Sequence, residues 1–231
     1  MSRAADDVAA AQRSGRQRFL GMDLLVGRDV LVPRPETELL ARTAIELLRP
    51  IAASRDPRVL DIGTGSGNLA CAIAVHLPGA RVVATDISLV AVALARHNAH
   101  HAGVANRIEV VHADVFPPAE LVERDGAFDA IVCNPPYIST KRLRSDRAGL
   151  LEHEPVEAFD GGPYGLTVHQ RVARGAASHL VPGGLLLLEV GAGQDRQVMV
   201  LLERAGTWEN PETHRDGEGI ARVVLARRKG R

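Results

Sequence analysis

The sequence predicts an α/β fold: one doubly wound domain whose helices cover both faces of a parallel sheet. Three observations carry that expectation. From Val59 onward, short apolar runs alternate with stretches whose apolar residues recur at helical spacing, the pattern of repeated βαβ units. A glycine-rich turn, Gly63-Thr64-Gly65-Ser66-Gly67, joins the first run to the first of those helices. The early runs also lead into polar residues, Asp61, Asp86, Asp114 and Asn134, and open parallel sheets bind ligands at the carboxyl ends of their strands.

Composition narrows the class. At 231 residues the chain can fill a core without disulfides or metal. Lys+Arg and Asp+Glu balance at 28 each, which gives no global electrostatic case for stable nucleic-acid binding. The basic tail Arg227-Arg228-Lys229-Gly230-Arg231 reads as a solubilising end. Cys71 and Cys133 lie in separate apolar runs and read as buried small hydrophobes of a reducing compartment. With no leader-like start and no run long enough to span a bilayer, the expected location is the cytoplasm, away from membranes.

Residues 1–17 carry no sustained apolar stripe and read as a flexible or weakly helical arm. Residues 18–57 read as a hairpin and a linker helix. Met22, Leu24 and Val26 alternate, Gly27-Arg28-Asp29 turns the chain, and Val30 and Val32 alternate again. Val32-Pro33-Arg34-Pro35-Glu36-Thr37-Glu38 then feeds a helix with Leu39, Leu40, Ala44, Leu47 and Leu48 on one stripe, Glu36 and Glu38 facing the positive end of its dipole. Residues 58–231 form the ligand-binding domain. Its expected strands are Arg58–Ile62, Val82–Asp86, Ile108–Val111, Ala130–Cys133, Leu185–Val190 and the tail 220–227. The helices between them carry Leu69, Ile73, Ala74 and Leu77, then Val90, Leu94 and Ala95 behind a Ser88 cap, then 194–205.

Strand, glycine-rich turn and helix together suit a nucleotide or S-adenosyl-L-methionine. No Gly-Lys-Ser/Thr follows the glycines, which disfavours a triphosphate cradle. Asp61, just before the first glycine, suits a cationic methionine group better than a pyrophosphate. Asp86 is placed to accept from both ribose hydroxyls and Asp114 from an adenine amino group.

The fourth run, Ala130–Cys133, stops abruptly in Asn134-Pro135-Pro136-Tyr137 because two prolines cannot continue a ladder. The rigid tip suits a planar NH2 group: the Asn134 side-chain oxygen and the Pro135 carbonyl accept its two protons, while the Tyr137 ring shields it.

Asp61-Ile62-Gly63-Thr64-Gly65-Ser66-Gly67, Asp86 and Asn134-Pro135-Pro136-Tyr137 resemble class I S-adenosylmethionine-dependent methyltransferases that methylate nitrogen. More narrowly, Pro33-Arg34-Pro35-Glu36-Thr37-Glu38, Glu154-Pro155, Asp160-Gly161-Gly162 with Gly165-Leu166, and Leu188-Glu189-Val190-Gly191 resemble the HemK-type release-factor glutamine methyltransferases. The resemblance runs from Phe19 to the C-terminus. It implies a Rossmann-like, seven-stranded, mostly parallel sheet and N5-methylation of the glutamine in the Gly-Gly-Gln loop of a peptide chain release factor. It also implies cofactor contacts from Asp61, Gly63 to Gly67, Asp86, Asp114, Val115 and Asn134, and acceptor contacts from Asn134, Pro135, Pro136 and Tyr137. Two departures accompany it. A short arm stands where relatives carry a helical N-terminal domain, and Val115 stands where relatives often carry an aromatic beside the adenine.

Orientation and desolvation are then expected to supply most of the acceleration, with Asn134, Pro135 and Tyr137 as the catalytic set and no histidine base. His97 and His101 have metal-pair spacing but no third ligand, and read as solvent-facing, so no metal is expected. Other readings compatible with the tip are methylation of an exocyclic base nitrogen in DNA or RNA and a non-enzymatic cofactor-binding subunit. Docking of a protein substrate is expected to involve the hairpin, the charged segment from Ser139 through Glu157 and the loop around Asp160-Gly161-Gly162. The oligomeric state has no sequence signal.

Overall fold

The computed structural model describes residues 3–145 and 154–230. Two strands, β1 (Arg16–Phe19) and β2 (Met22–Leu25), pair as a separate hairpin. The others are β3 (Arg58–Ile62), β4 (Arg81–Asp86), β5 (Ile108–His112), β6 (Phe128–Cys133), β7 (Leu180–Glu189), β8 (Trp208–Arg215) and β9 (Ala221–Arg228). They form one seven-stranded sheet in the order β5-β4-β3-β6-β7-β9-β8. Strands β3 to β7 are parallel, while β9 runs antiparallel to both of its neighbours.

Both faces of the sheet are covered, which is why its central strands read as unbroken apolar runs. Alternate residues Val59, Val82, Ala84, Ala130, Val132, Leu185 and Leu187 pack with helices α2 (Thr37–Ala52), α3 (Asn68–His76) and α4 (Leu89–His101). The intervening Leu60, Ile62, Val83, Ile131, Cys133, Leu186 and Leu188 pack with α5 (Ala119–Asp125), α7 (Thr167–Gly175) and α8 (Asp195–Ala205). Two further helices are α1 (Arg3–Ser14) and α6 (Thr140–Ser145). Cys71 and Cys133 are both buried and free, on opposite faces. Strand β6 is buried along its whole length, and its one charge, Asp129, is met by the Arg55 guanidinium and the Arg58 backbone N–H.

Several local expectations change. The arm is a helix, α1, which seats Val8 and Ala11 against Val32 and Val26. The hairpin exists, but its turn is Leu20-Gly21, at φ 45° and 80°, rather than Gly27-Arg28-Asp29. A two-residue turn of that kind usually carries Asn-Gly, so Leu20 hides the signal. Here the turn is held from outside, because the Leu20 N–H donates to the Glu38 carboxylate at 2.9 Å. Glu38 thus serves the hairpin and Arg42 as well as its own helix. Val30 and Val32 are buried in a non-strand segment and not in a second hairpin strand. Val90 is 52% exposed instead of facing in; Ala91, Val92, Ala95 and Ala99 make the buried stripe of α4. Ser88 does cap that helix, accepting from the Ala91 N–H at 3.3 Å. Strand β8 has no counterpart among the strands expected residue by residue. It is an edge strand containing Pro211, with a register shift between Glu209 and Glu212, so its alternation is broken.

Candidate active site

The carboxyl ends of β3, β4, β5 and β6 bring together the residues singled out above. The turn from β3 to α3 passes Gly63, Gly65 and Gly67 at φ 67°, 56° and 80°, a left-handed path that residues with a Cβ rarely take. A Cβ on Gly67 would also lie 3.1 Å from the Ala95 backbone, so this glycine lets α3 and α4 approach closely. Asp61 is wholly buried beneath the turn. Its Oδ2 accepts from the Thr64 hydroxyl at 2.6 Å and the Ala70 N–H at 3.2 Å, while its Oδ1 has no partner among the described residues. Burial pushes its carboxyl up to about 7, against the opposing pull of those two bonds. The buried Ser66 hydroxyl is likewise unpartnered among the described residues.

Asp86 is half-buried and already employed: it accepts from the Gly65 N–H and the Ser88 N–H, both at 2.9 Å. It shapes the rim of the turn and retains lone pairs for hydroxyl donors. Asp114 is exposed beyond β5, and Arg171 of α7 grips both its oxygens at 2.9 Å. Those bonds hold its carboxyl below the usual carboxylate range. An adenine amino group would therefore share this carboxylate with a guanidinium. Val115 follows at φ 71°, buried, with its carbonyl held by the Thr85 hydroxyl at 2.8 Å.

The Asn134–Tyr137 tip lines a small cleft together with Leu31, Arg34, Ile138, Ala158 and Phe159. Asn134 donates from Nδ2 to the Thr37 hydroxyl at 3.1 Å. Burial pushes the nearby Glu189 carboxyl up to about 7, with Thr37 opposing the shift. Among the described residues no donor meets the Pro135 carbonyl. Tyr137 is packed so that its phenol is pushed up to about 12 by burial, with the charges of Glu189 and Glu36 adding to the shift; it stays neutral.

A glycine-built loop backs the tip. Ile138 and Gly161 exchange backbone bonds with Phe159 and Ile138 at 3.0 and 2.8 Å, and the Asp160 carboxylate caps Thr140 and Gly162. A Cβ on Gly161 would stand 2.7 Å from the Pro136 carbonyl, and one on Gly165 would stand 2.3 Å from the Tyr137 carbonyl. Only glycine lets the two backbones touch at these points. Gln194 completes the seat by donating to the Tyr137 carbonyl at 2.9 Å. Across the cleft, Glu154 pairs with Arg34 and accepts from the Val32 N–H at 2.8 Å, fixing the Val32-Pro33-Arg34 segment.

The methyltransferase small domain model matches residues 40–151. The release factor glutamine methyltransferase of Moorella thermoacetica is 39% identical over 94% of this chain and 74% of its own length. Those of Bradyrhizobium diazoefficiens and Cereibacter sphaeroides are 39% and 41% identical over 93% and 92% of this chain, and 70% and 72% of theirs. The chain belongs to the release factor glutamine methyltransferase family. Among solved structures, a methyltransferase from Pyrococcus furiosus has the same fold, with a TM-score of 0.63, 17% identity and full coverage of both chains. A T. thermophilus 16S rRNA N2 G1207 methyltransferase in complex with AdoMet and guanosine aligns with a TM-score of 0.62 and 25% identity, over 93% of this chain and 50% of that one.

For a chain of this family the turn fits a cationic, hydroxyl-rich cofactor. Asp61 keeps a buried, unpartnered oxygen and a strained charge that a neighbouring cation would relieve, and Asp86 keeps free lone pairs at the rim. Sequence reasoning missed four residues of the site. Asn98, fully buried in α4, bonds both backbone groups of Leu25 and the Ser66 carbonyl, tying the hairpin to the glycine turn. Thr37 and Glu189 stand behind Asn134, although both lie in motifs that the resemblance rested on. Ile87, 64% exposed beside Asp86, leaves an apolar side chain at the rim. Among the described residues no group of His, Cys, Asp and Glu has metal-site geometry; His97 and His101 lie exposed on α4. No described helix is long and apolar enough to cross a membrane. Of the charged docking segment, Arg147, Glu152 and His153 lie outside the described residues, while Lys141, Arg142 and Arg144 fall on α6.

Proposed function

We propose that this enzyme transfers the methyl group of S-adenosyl-L-methionine to the side-chain amide nitrogen of the glutamine in the Gly-Gly-Gln loop of a peptide chain release factor. The observation that carries the reading is the pair of acceptors at the tip. With Nδ2 committed to Thr37, the Asn134 side chain has Oδ1 left to accept, and the Pro135 carbonyl beside it has no donor among the described residues. Two acceptors side by side match one NH2 group, and their use leaves the nitrogen lone pair free of hydrogen bonds.

When bound, S-adenosyl-L-methionine supplies an electrophilic methyl group and a good leaving group. The chain's own residues do the rest. Asn134 and Pro135 hold the amide, and the neutral Tyr137 ring excludes water from one side of it. The nitrogen becomes acidic only as its bond to carbon forms, and the released proton passes to water, so no side chain must act as a strong base. On the cofactor side we assign Asp61 and the turn from Gly63 through Thr64, Gly65 and Ser66 to Gly67 to the methionine end, Asp86 to the ribose, and Asp114, Val115 and the exposed Ile87 to the base. Pro136 shapes the tip by keeping it extended.

The test is incubation of the protein with labelled S-adenosyl-L-methionine, a release factor and total nucleic acid, read by mass spectrometry. One added methyl on the Gly-Gly-Gln glutamine is expected, with DNA and RNA unlabelled. Label in nucleic acid with the release factor unmodified would transfer the assignment to an exocyclic base nitrogen.

A further inference from the structure

The reading above gives the acceptor amide two partners for its NH2 group and none for its carbonyl oxygen. A carbonyl oxygen taken out of water without a donor is costly, so a site for a primary amide should supply one. The cleft that holds the tip also holds Arg34, the one charged side chain among the described residues lining it. Of its three guanidinium nitrogens only Nη2 has a partner among the described residues, the Glu154 carboxylate. Nε and Nη1 keep their donors, and the side chain is 25% exposed while that of Glu154 is 4% exposed.

The cation is held stiffly. Arg34 stands between Pro33 and Pro35, and a following proline restricts a residue to extended backbone. Val32, buried against Val8 and Ala11 of α1, gives its N–H to the other Glu154 oxygen at 2.8 Å. The Arg34 carbonyl accepts the Thr37 N–H at 3.2 Å at the start of α2. Glu154 thus spends one oxygen on the backbone and one on the guanidinium. Its charge offsets that of Arg34, so the spare donors suit a neutral oxygen better than they would as an unpaired cation.

We propose that Arg34 is a specificity-determining substrate residue whose spare donors bind the carbonyl oxygen of the acceptor glutamine amide. The inference rests on the reading of the tip as the seat of the substrate NH2 group. Asn134 and Pro135 then supply the acceptors and Arg34 the donor that together outline a primary amide. A carboxylate is mismatched, having no proton for the tip, and an amine is mismatched, having no oxygen for Arg34. The bond also belongs to binding rather than to transfer. As the nitrogen lone pair turns from the carbonyl to the methyl group, conjugation is lost and the oxygen carries less negative charge. A donor at that oxygen is therefore used most fully before the transition state, and its loss should appear in KM.

The test measures kcat and KM for release-factor methylation at low and high salt, with cofactor affinity and melting temperature recorded for each variant. In Arg34→Met the KM for the release factor should rise about ten- to a hundredfold, as for a lost hydrogen bond to a charged group. Its kcat should stay within about threefold of wild type and its cofactor affinity within about twofold. Salt should weaken docking of both proteins equally, because the bound oxygen is neutral. Arg34→Lys keeps a cation beside Glu154 but loses the planar fork, so its KM should recover only in part. A folded Arg34→Met protein with wild-type KM would overturn the proposal. So would a loss confined to kcat, which would mean that Arg34 merely shapes the tip. A flattened salt dependence would also overturn it, making Arg34 the partner of an acidic surface. If Arg34→Met does not fold, Arg34→Lys decides, and a wild-type KM there sinks the idea. Failure of the wild type to methylate the release factor removes the acceptor reading and this inference together. Methylation by the wild type with KM unchanged in the variants removes the inference alone.

Discussion

The turn between β3 and α3 is shaped by residues close by in sequence or on the adjacent strand: Thr64 and Ala70 bond Asp61, the Thr64 N–H meets the Thr85 carbonyl, and the Gly65 N–H meets Asp86. The Asn134–Tyr137 tip is held by Thr37, the Asp160–Gly165 loop and Gln194, which come from widely separated parts of the chain. One half of the site is therefore a local structure, and the other is an assembly. Changes in the local half should act mainly on cofactor binding. Changes far from the tip in sequence should reach turnover, because its geometry is borrowed from distant packing.

The largest effect expected is for Asn134→Ala, which removes an acceptor used when the substrate amide is in place. Turnover should fall at least about a hundredfold, with a smaller change in cofactor affinity measured by calorimetry. Near-normal turnover on the release factor would show that the tip does not orient the amide. Next comes Gly161→Ala, where the new methyl meets the Pro136 carbonyl and Gly165 at 2.7 Å. It should cost about 1–3 kcal/mol, lowering the melting temperature by roughly 3–10 °C, and should depress kcat more than it weakens cofactor binding. An inverted pattern, with binding hit harder than kcat, would break the division between the two halves. Gly217→Ala, which meets nothing within 4 Å between β8 and β9, serves as its silent control.

Asp86→Ala should weaken S-adenosyl-L-methionine by at least about tenfold, since charge-assisted bonds to two hydroxyls are lost. Because Asp86 also holds the Gly65 and Ser88 N–H groups, the apo protein should melt about 2–4 °C lower as well. An unchanged affinity would remove Asp86 from the ribose site. The smallest effect concerns Asp61. Its carboxyl is raised in the folded chain to about 7, so the folded state binds a proton that the unfolded state releases near the ordinary carboxylate value. The contribution of Asp61 to the stability of the apo protein should therefore be fully present below that ordinary value and be lost as pH rises through about 7. Asp61→Asn should flatten this part of the profile in thermal melts. A variant with the wild-type slope would mean that Asp61 is solvated in solution.

How legible these halves were follows the same division. The glycine turn, Asp61 and Asp86 were readable because positive-φ glycines and strand-end acids are local signals. The Asn-Pro-Pro-Tyr tip was readable as a place at the end of β6, since prolines stop a strand wherever they stand. The hairpin was misplaced by its turn because Leu20, a residue that rarely marks such a turn, sits at φ 45° with its N–H bonded to Glu38 of another element. Strand β8 was hidden because edge strands tolerate Pro211 and a register shift that destroy alternation.

The sequence by itself determined the α/β order, the faces that bury, the path of the glycine turn and the stop after Cys133, since each depends on side-chain volume, periodicity or backbone freedom within a few residues. Only the tertiary structure decided that Arg171 occupies Asp114, that Gly161 and Gly165 press on the tip, and that Thr37 and Glu189 stand behind Asn134. Those contacts join residues far apart in the chain. A hydrogen bond's partner and direction depend on which buried groups the fold brings within about 3 Å of each other, and local sequence carries no record of that distance.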